Sequence, residues 1–399
     1  MFLSEHRLNS HHLHRIKFSE LNEIYLFMTL RSFLVAMASI FIPIYLYNLH
    51  YSIQAIILYY FYLFLFEACF EIVSSYSILR FGPKHNIALS VPFLILHFLL
   101  LSNIGTYHWP LWLLSLIQAI SMALFWQGYH FDFSKAKHRG SAGKEVSKMY
   151  IILWFVSALA PFFGGLIAER YGMQYVYLLV LIGLILALIP LFSTSEPWVK
   201  DHFVLKRVKI RDIYRQQLSY AGSGIEASVS LFMWPFFVYL IVKSYEMVGA
   251  LASLASLAGV FTTYMVGKKA DKKLKPNYIK RGSYLTGVSY FLRLYAKTAA
   301  HVLFFNVFGS ICHAIFLSPW FAEYYLHADE ESRLEYLFLM EITTDLSRVL
   351  FFGLIFIFSL YFSLELTLII GILIGGLASF LISVMPLTKV EAKVAASAH

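Results

Sequence analysis

Residues 53–79 read IQAIILYYFYLFLFEACFEIVSSYSIL, an apolar stretch whose charged side chains are Glu67 and Glu71. A helix needs about 20 mostly apolar residues to cross a hydrocarbon core about 30 Å thick. The stretch does not alternate between apolar and polar residues, as the strands of a membrane barrel do. It therefore predicts a membrane-spanning helix, because lipid offers no partner to bare backbone N–H and C=O groups.

Eleven further stretches share this character, so we predict an all-α membrane protein with twelve transmembrane helices. The predicted helices cover residues 23–48, 53–79, 86–103, 107–133, 147–169, 173–193, 216–242, 246–266, 278–297, 300–326, 334–360 and 364–387. The longest connection, 194–215, separates two six-helix bundles, 23–193 and 216–387. Tails of 1–22 and 388–399 complete the predicted domain organisation.

The composition narrows the functional class. Of 399 residues, 59% are hydrophobic and 14% are charged, whereas about a quarter are charged in a soluble domain. This balance excludes a cytosolic enzyme and a disordered protein, and two cysteines are too few for a disulfide scaffold. The sequence contains no H-E-x-x-H, G-x-S-x-G or Walker motif, so we predict no enzyme, no cofactor and no metal site.

The basic residues indicate the orientation. Most Lys and Arg residues lie in alternate connections between the apolar stretches, so the net charge of +9 is a topology signal rather than a sign of nucleic-acid binding. The rule that cytoplasmic loops are basic places both termini in the cytoplasm of a plasma or inner membrane. Within the basic connection, residues 204–214 are expected to form an amphipathic helix on the inner leaflet.

The two halves of the chain match weakly at an offset of about 192 residues. A proline, a serine and an acidic residue recur in one register. The pairs are Pro43 with Pro235, Ser52 with Ser244, and Asp132 with Glu323. Parallel six-helix repeats of this kind build transporters whose halves rock about a central site.

Two loops carry a family resemblance. Residues 80–84 read RFGPK and residues 267–273 read GKKADKK, which resembles the G-x-x-x-D-[RK] loops of the major facilitator superfamily. The first loop departs from that pattern, because Leu79 stands where the family has Asp. The resemblance implies a cytoplasmic gate, in which we place Arg80, Gly82, Lys84, Asp132, Gly267, Asp271, Lys272 and Glu323.

Helix 5 strengthens the resemblance without fixing a subfamily. Residues 161–165 read PFFGG, similar to the P-x-x-G-G of fifth helices, which is most developed in drug/proton antiporters. Pro161 should kink the helix, while Gly164 and Gly165 let a neighbour approach closely. The antiporter motif R-x-x-Q-G of helix 4 is not met, since Ser115 occupies the position of the arginine.

Charged side chains inside membrane helices are costly and are functional candidates by default. Helix 2 carries Glu67 and Glu71 on one face, and helix 11 carries Glu341, Asp345 and Arg348 on one face. In the family, helices 2 and 11 meet between the bundles, so Arg348 is expected to pair with Asp345 or Glu67. We add Arg31 of helix 1 to this inter-bundle charge network. Two carboxylates that share a site cannot both ionise easily, so the network serves either proton coupling or the ordering of the gate.

The family also implies that helices 1, 4, 7 and 10 line a central cavity. The residues placed there are Gln118, Gln127, His130, Glu226, Trp234, His313 and Trp320. Glu226, which has no partner in its own helix, is the leading candidate for a contact with substrate or proton.

These observations predict a secondary active transporter that moves a small organic solute by alternating access, with proton-coupled export favoured. The expected partners are the solute, protons and the lipid bilayer, and the chain is expected to act as a monomer. One alternative is an uptake symporter or uniporter for a sugar or another neutral solute. A second is a receptor or assembly factor that has a transporter fold and moves nothing.

Overall fold

The computed structural model describes residues 20–136, 142–189, 203–204, 208–269 and 275–388. Within these ranges the chain forms fourteen α-helices and no strand. They are α1 (Glu20–Ala38), α2 (Ile42–Asn48), α3 (Ile53–Phe81), α4 (Pro83–Tyr107), α5 (Leu111–Ala136), α6 (Ala142–Tyr171), α7 (Met173–Ala187), α8 (Tyr214–Ser228), α9 (Trp234–Val242), α10 (Tyr245–Lys269), α11 (Lys275–Arg293), α12 (Ala299–Glu330), α13 (Arg333–Tyr361) and α14 (Leu364–Ile382).

Nine helical segments in the described ranges are long and apolar enough to cross a membrane. They are 25–48, 53–81, 83–107, 111–135, 214–242, 245–266, 299–330, 333–361 and 364–382. Each overlaps one predicted stretch, and the other three predicted stretches overlap α6, α7 and α11. The last predicted helix is too long, because α14 ends at Ile382 and the chain continues in a turn at residues 383–384.

Two of the spans are interrupted at equivalent places. A 3-10 turn (Ser39–Phe41) joins α1 to α2, and a π turn (Val229–Met233) joins α8 to α9. Pro43 and Pro235 then occupy the first turns of α2 and α9, where a missing N–H costs least. The two prolines of the sequence repeat therefore sit at the same structural position.

The serines of the repeat are also equivalent. Ser52 Oγ accepts a hydrogen bond from the backbone N–H of Ala55 at 3.2 Å, and Ser244 Oγ accepts one from Met247 at 3.3 Å. Each serine therefore caps the N-terminus of the helix that follows an interrupted span.

The packing partners repeat between the two parts of the chain. From α1 to α7, the extensive contacts join α3 to α5, α4 to α5, α1 to α6, α1 to α7 and α4 to α7. From α8 to α14, they join α10 to α12, α11 to α12, α8 to α13, α8 to α14 and α11 to α14. If α1 with α2, and α8 with α9, are each counted as one span, every pair in the second set is the corresponding pair of the first set shifted by six spans. Two large seams cross between the parts, α3 against α13 and α6 against α10.

Consecutive spans run in opposite directions because short connections join most of them. Residues 49–52, 108–110, 172, 243–244, 294–298 and 362–363 therefore lie at one end, which we call the loop end. The opposite end, which we call the linker end, carries the connection between α7 and α8. These two ends define where each functional side chain lies along the bundle.

The linker differs from its sequence prediction. Its described part, 208–213, contains a 3-10 turn (Ile210–Asp212) and no amphipathic helix. Earlier in the linker, the backbone N–H of Val204 donates to Glu335 Oε1 at 2.8 Å. The ring of Phe203 packs on Tyr76 of α3 and Phe338 of α13. Residues 203–204 of the linker are therefore held by contacts with α3 and α13.

Candidate functional site

A cluster of carboxylates lies in the seam between α3 and α13. One oxygen each of Glu67, Glu71 and Asp345 lies within 4.8 Å of the other two. All three residues are at most 1% exposed. The helical spacing of four places both glutamates on the face of α3 that meets α13, and so brings together residues that are 274 and more positions apart in sequence.

One arginine serves this cluster. Arg348 Nη1 donates to Asp345 Oδ1 at 3.3 Å, which is one of the two pairings that the sequence predicted. The guanidinium of Arg348 also lies over the ring of Phe64, 4.8 Å from its centroid. The cation is thus held by one carboxylate oxygen and one aromatic face.

Arg31 does not join this network, so the sequence prediction was wrong for that residue. Its guanidinium lies 3.3 Å from the centroid of the Phe125 ring on α5. Among the described residues, no carboxylate forms an ion pair with Arg31, and its Nε has no hydrogen-bond partner. The reason is that α1 packs against α5, α6 and α7 rather than against the α3–α13 seam.

At the linker end, His130 connects the two parts of the chain. Its Nδ1 lies 2.8 Å from Tyr325 Oη on α12, and its Nε2 lies 3.5 Å from Glu341 Oε1 on α13. Glu341 Oε1 also accepts a hydrogen bond from Tyr324 Oη at 3.0 Å. Glu341 therefore links the carboxylate face of α13 to a histidine of α5.

At the loop end, a second polar contact joins the two parts. Asn48 Nδ2 donates to Tyr239 Oη and to Tyr245 Oη, both at 2.9 Å. Gln54 Nε2 on α3 donates to the carbonyl of Ser359 on α13 at 2.8 Å. Sequence analysis missed these residues. The recurring Pro and Ser that flank the ends of spans 1 and 7 were the available signal.

Glu226 lies in a separate buried polar site within the second part. Its Oε1 accepts hydrogen bonds from Tyr290 Oη at 2.6 Å and Ser230 Oγ at 3.3 Å. Its Oε2 lies 3.5 Å from His313 Nε2. The expectation that Glu226 lacks a partner in its own helix was wrong, because Ser230 follows it by four residues in the π turn. A π turn inside a helix often marks a functional position.

The other residues predicted for the cavity hold neighbouring helices together. Trp234 Nε1 donates to Asn306 and Trp320 Nε1 donates to Ser219, which ties the α8–α9 span to α12. Gln118 accepts from Tyr59, and Gln127 donates to Ser75 at 2.7 Å, which ties α5 to α3. Each of these four contacts stays within one part of the chain. His130, in contrast, contacts the other part through Tyr325 and Glu341.

The predicted gate residues occupy the linker end where the structure describes them. Gly82, at φ 88° and ψ 161°, turns the chain from α3 into α4, a conformation essentially restricted to glycine. Arg80 lies over the ring of Phe81, whereas Lys84 is fully buried. Gly267 lies near the end of α10, and Asp271 and Lys272 lie outside the described residues.

The acidic pair of the repeat is also at this end. Asp132 and Glu323 are both fully buried. Glu323 Oε2 accepts a hydrogen bond from the backbone N–H of Thr388 at 3.0 Å. The chain after α14 therefore folds back onto α12.

The P-x-x-G-G segment of α6 lies where three helices meet. A Cβ atom added at Gly164 would overlap the backbone of Met37 on α1, and one at Gly165 would overlap the backbone of Tyr245 on α10. The carbonyl of Pro161 lies against Gly249 of α10 in the same way. The glycines allow α6 to pack closely on both sides.

Comparison with known proteins gives one assignment. A search among curated proteins finds no match to the chain. The sequence profile described as the Major Facilitator Superfamily matches residues 24–351, which cover most of the chain and both sides of the α3–α13 and α6–α10 seams. The chain belongs to the Major Facilitator Superfamily and is a membrane transporter of that family.

Proposed function

We propose that the chain is a secondary active transporter that exports a small organic solute by alternating access, coupled to protons. In this proposal twelve spans form two six-helix bundles, 23–193 and 216–387, joined by the linker 194–215. The displaced but otherwise identical packing pairs of the two parts support it. The termini lie in the cytoplasm of a plasma or inner membrane, with the linker end inward, as the distribution of basic residues favours.

The observation that carries the proposal is a pair of polar contacts at opposite ends of the bundle. Asn48 joins Tyr239 and Tyr245 at the loop end, and His130 joins Tyr325 and Glu341 at the linker end. Side-chain hydrogen bonds of this kind can open at one end while they stay closed at the other. Rocking of two repeats around a fixed midplane site requires that property.

The Glu226 site is the candidate for solute and proton. It combines a carboxylate, an imidazole and a tyrosine hydroxyl, and histidine exchanges protons near physiological pH. His313 is the most accessible of the three, with a side chain that is 26% exposed. The guanidinium of Arg293 lies over the ring of Tyr290, 4.3 Å from its centroid, so the site pairs a carboxylate with a buried cation and its charge does not select between cationic and anionic solutes. Export rests on the resemblance of α6 to the helices of antiporters.

A second candidate function has one observation in its favour. Across the seam between the two parts, the ring of Tyr60 stacks on Phe232 and Phe352 with centroids 5.0 and 5.3 Å apart. A receptor or assembly factor that moves nothing would keep this aromatic contact permanently. A transporter must separate these rings during its cycle.

Reconstitution tests the proposal. We expect wild-type proteoliposomes with an imposed pH gradient to move at least one solute of a panel of organic cations and sugars. Glu226→Gln should abolish gradient-driven movement and retain solute exchange, because an amide binds by hydrogen bonds but carries no proton. Glu365→Gln, which changes an exposed carboxylate, is the matched control and should behave as wild type. Gradient-driven transport by Glu226→Gln would refute proton coupling at this site.

The panel also separates the alternatives. Uptake of a sugar that is insensitive to Glu226→Gln would indicate the neutral-solute symporter or uniporter. Absence of flux for every solute, in protein that remains folded, would favour the receptor. Labelling of Ser141→Cys from outside, and not of Thr106→Cys, would reverse the proposed orientation.

A further inference from the structure

The carboxylates in the α3–α13 seam outnumber the cations around them. Glu67, Glu71 and Asp345 contribute three acidic groups against one arginine, Arg348, which donates its hydrogen bond to Asp345 Oδ1. Among the described residues, no Lys, Arg or His forms an ion pair with Glu67 or Glu71. Buried charges in proteins are paired or coordinate metals, because an isolated ion in an apolar interior is very costly.

Hydrogen bonding gives a second, separate observation. Glu71 is fully buried, and neither of its carboxylate oxygens has a hydrogen-bond partner in the part of the chain that the structure describes. Glu67 Oε2 and Asp345 Oδ2 also lack partners. Buried polar atoms are rarely left unsatisfied. Three carboxylates that meet within 4.8 Å and hold oxygens without a donor are therefore arranged for a ligand that accepts electron pairs.

The dimensions suit a metal cation. Three oxygens within 4.8 Å of one another can surround an ion at most about 2.8 Å from each, close to the about 2.3–2.6 Å of Ca²⁺ ligands and longer than the about 2.0–2.1 Å that Mg²⁺ demands. Carboxylate oxygens are hard ligands and select hard cations. Na⁺ has nearly the same radius as Ca²⁺, so both satisfy the geometry.

We propose that Glu67, Glu71 and Asp345 form a binding site for a hard metal cation of the size of Na⁺ or Ca²⁺. The ion lies in the seam between the two parts of the chain, with two ligands on α3 and one on α13. Its binding ties the seam together, and its release leaves three carboxyl groups that cannot all stay ionised there. The existence of this binding site does not depend on the proposed transport function. Only its role rests on that function, because in a transporter the bound cation would be a coupling ion in addition to the Glu226 site.

Direct binding tests the proposal. We expect the purified full-length protein in detergent to bind about one radioactive Na⁺ or Ca²⁺ per chain, with choline and Mg²⁺ as poor competitors. The Na⁺ and Ca²⁺ arms identify which ion is held. Glu71→Gln and Asp345→Asn should each weaken binding at least about tenfold, the scale of loss seen even for outer-shell partners of metal sites. Glu335→Gln is the matched control, a buried carboxylate ten residues before Asp345 on the same helix, and should retain binding.

Stability of the wild type provides a test that needs no variant. Replacement of choline by the bound ion should raise the melting temperature, because an ion that binds only the folded state stabilises it. Binding of neither ion, with stability that responds to pH alone, would overturn the proposal in favour of protonated carboxylates. Retention of binding in both Glu71→Gln and Asp345→Asn would place the ion elsewhere and also overturn it. Both measurements use protein without a gradient, so their outcome is independent of solute flux.

Discussion

The seam between α6 and α10 offers a sharp test of whether the two parts of the chain separate. Gly165 of α6 faces the backbone of Tyr245, and Gly249 of α10 faces the backbone of Pro161. Both contacts lie toward the loop end, where α6 ends and α10 begins. Addition of one methyl group at either glycine should therefore disfavour closure of that end.

The magnitude follows from the distances. A Cβ at Gly165 would lie 3.0 Å from the carbonyl carbon of Tyr245 and 3.2 Å from the Cα of Glu246, and a Cβ at Gly249 would lie 2.9 Å from the carbonyl carbon of Pro161. These neighbours are backbone atoms and cannot rotate away, so the helices must move apart. Overpacking of this kind costs about 1–3 kcal/mol, which corresponds to a change of roughly 5–150-fold in an equilibrium between two states.

Cysteine labelling measures that equilibrium. Phe236 is fully buried at the loop end, and its ring packs on Tyr47 with centroids 5.2 Å apart. In a Cys69→Ala and Cys312→Ala background, Phe236→Cys should react slowly with a water-soluble maleimide. Gly165→Ala or Gly249→Ala should raise the labelling rate by the same factor as the open fraction, as long as the open state remains the minor one.

A matched control isolates the steric effect. Gly353→Ala introduces the same methyl group into the other seam, where the nearest atom is Phe61 Cε2 at 3.4 Å, an ordinary contact distance. It should leave the labelling rate unchanged. The reasoning is refuted if Gly165→Ala stays folded and does not raise the rate, or if Gly353→Ala raises it equally.

Three further substitutions test other contacts. Trp234→Phe should lower the free energy of unfolding by about 1–3 kcal/mol, because the buried Asn306 carbonyl loses its donor; thermal unfolding in detergent measures this. Gly82→Ala should cost about 1–3 kcal/mol in the same assay, since φ 88° is strained for any residue with a Cβ. His130→Phe removes the hydrogen bond to Tyr325 and should speed labelling of cysteines placed at the linker end.

Each of these predictions has its own control. Trp112→Phe changes a tryptophan that is 51% exposed and should leave stability unchanged. Gly105→Ala adds a Cβ whose nearest neighbour, Leu49 Cδ2, is 3.6 Å away, so an equal loss there would contradict the backbone argument for Gly82. Linker-end labelling of His130→Phe at the wild-type rate would show that this contact does not hold the end closed.

The seam also shows how far local sequence reaches. Helical periodicity alone predicts that Glu67 and Glu71 share one helix face. It predicts the same for Glu341, Asp345 and Arg348. Their convergence across the seam was expected from the family resemblance, and the Arg348–Asp345 hydrogen bond appears in the structure. That the cluster leaves Glu71 without any hydrogen-bond partner could not be known before the helices were packed.

The sequence by itself determined the helices, because a backbone in lipid must satisfy its own hydrogen bonds, and stretches of about 20 apolar residues therefore mark them. It also revealed that Pro43 and Pro235 recur in one register. The tertiary structure alone decided which way each polar group faces, as in the contacts of Arg31 with Phe125 and of Glu226 with Tyr290. The physical reason is that a membrane helix is apolar toward lipid and toward its neighbours alike, so its periodicity does not fix its rotation about its own axis.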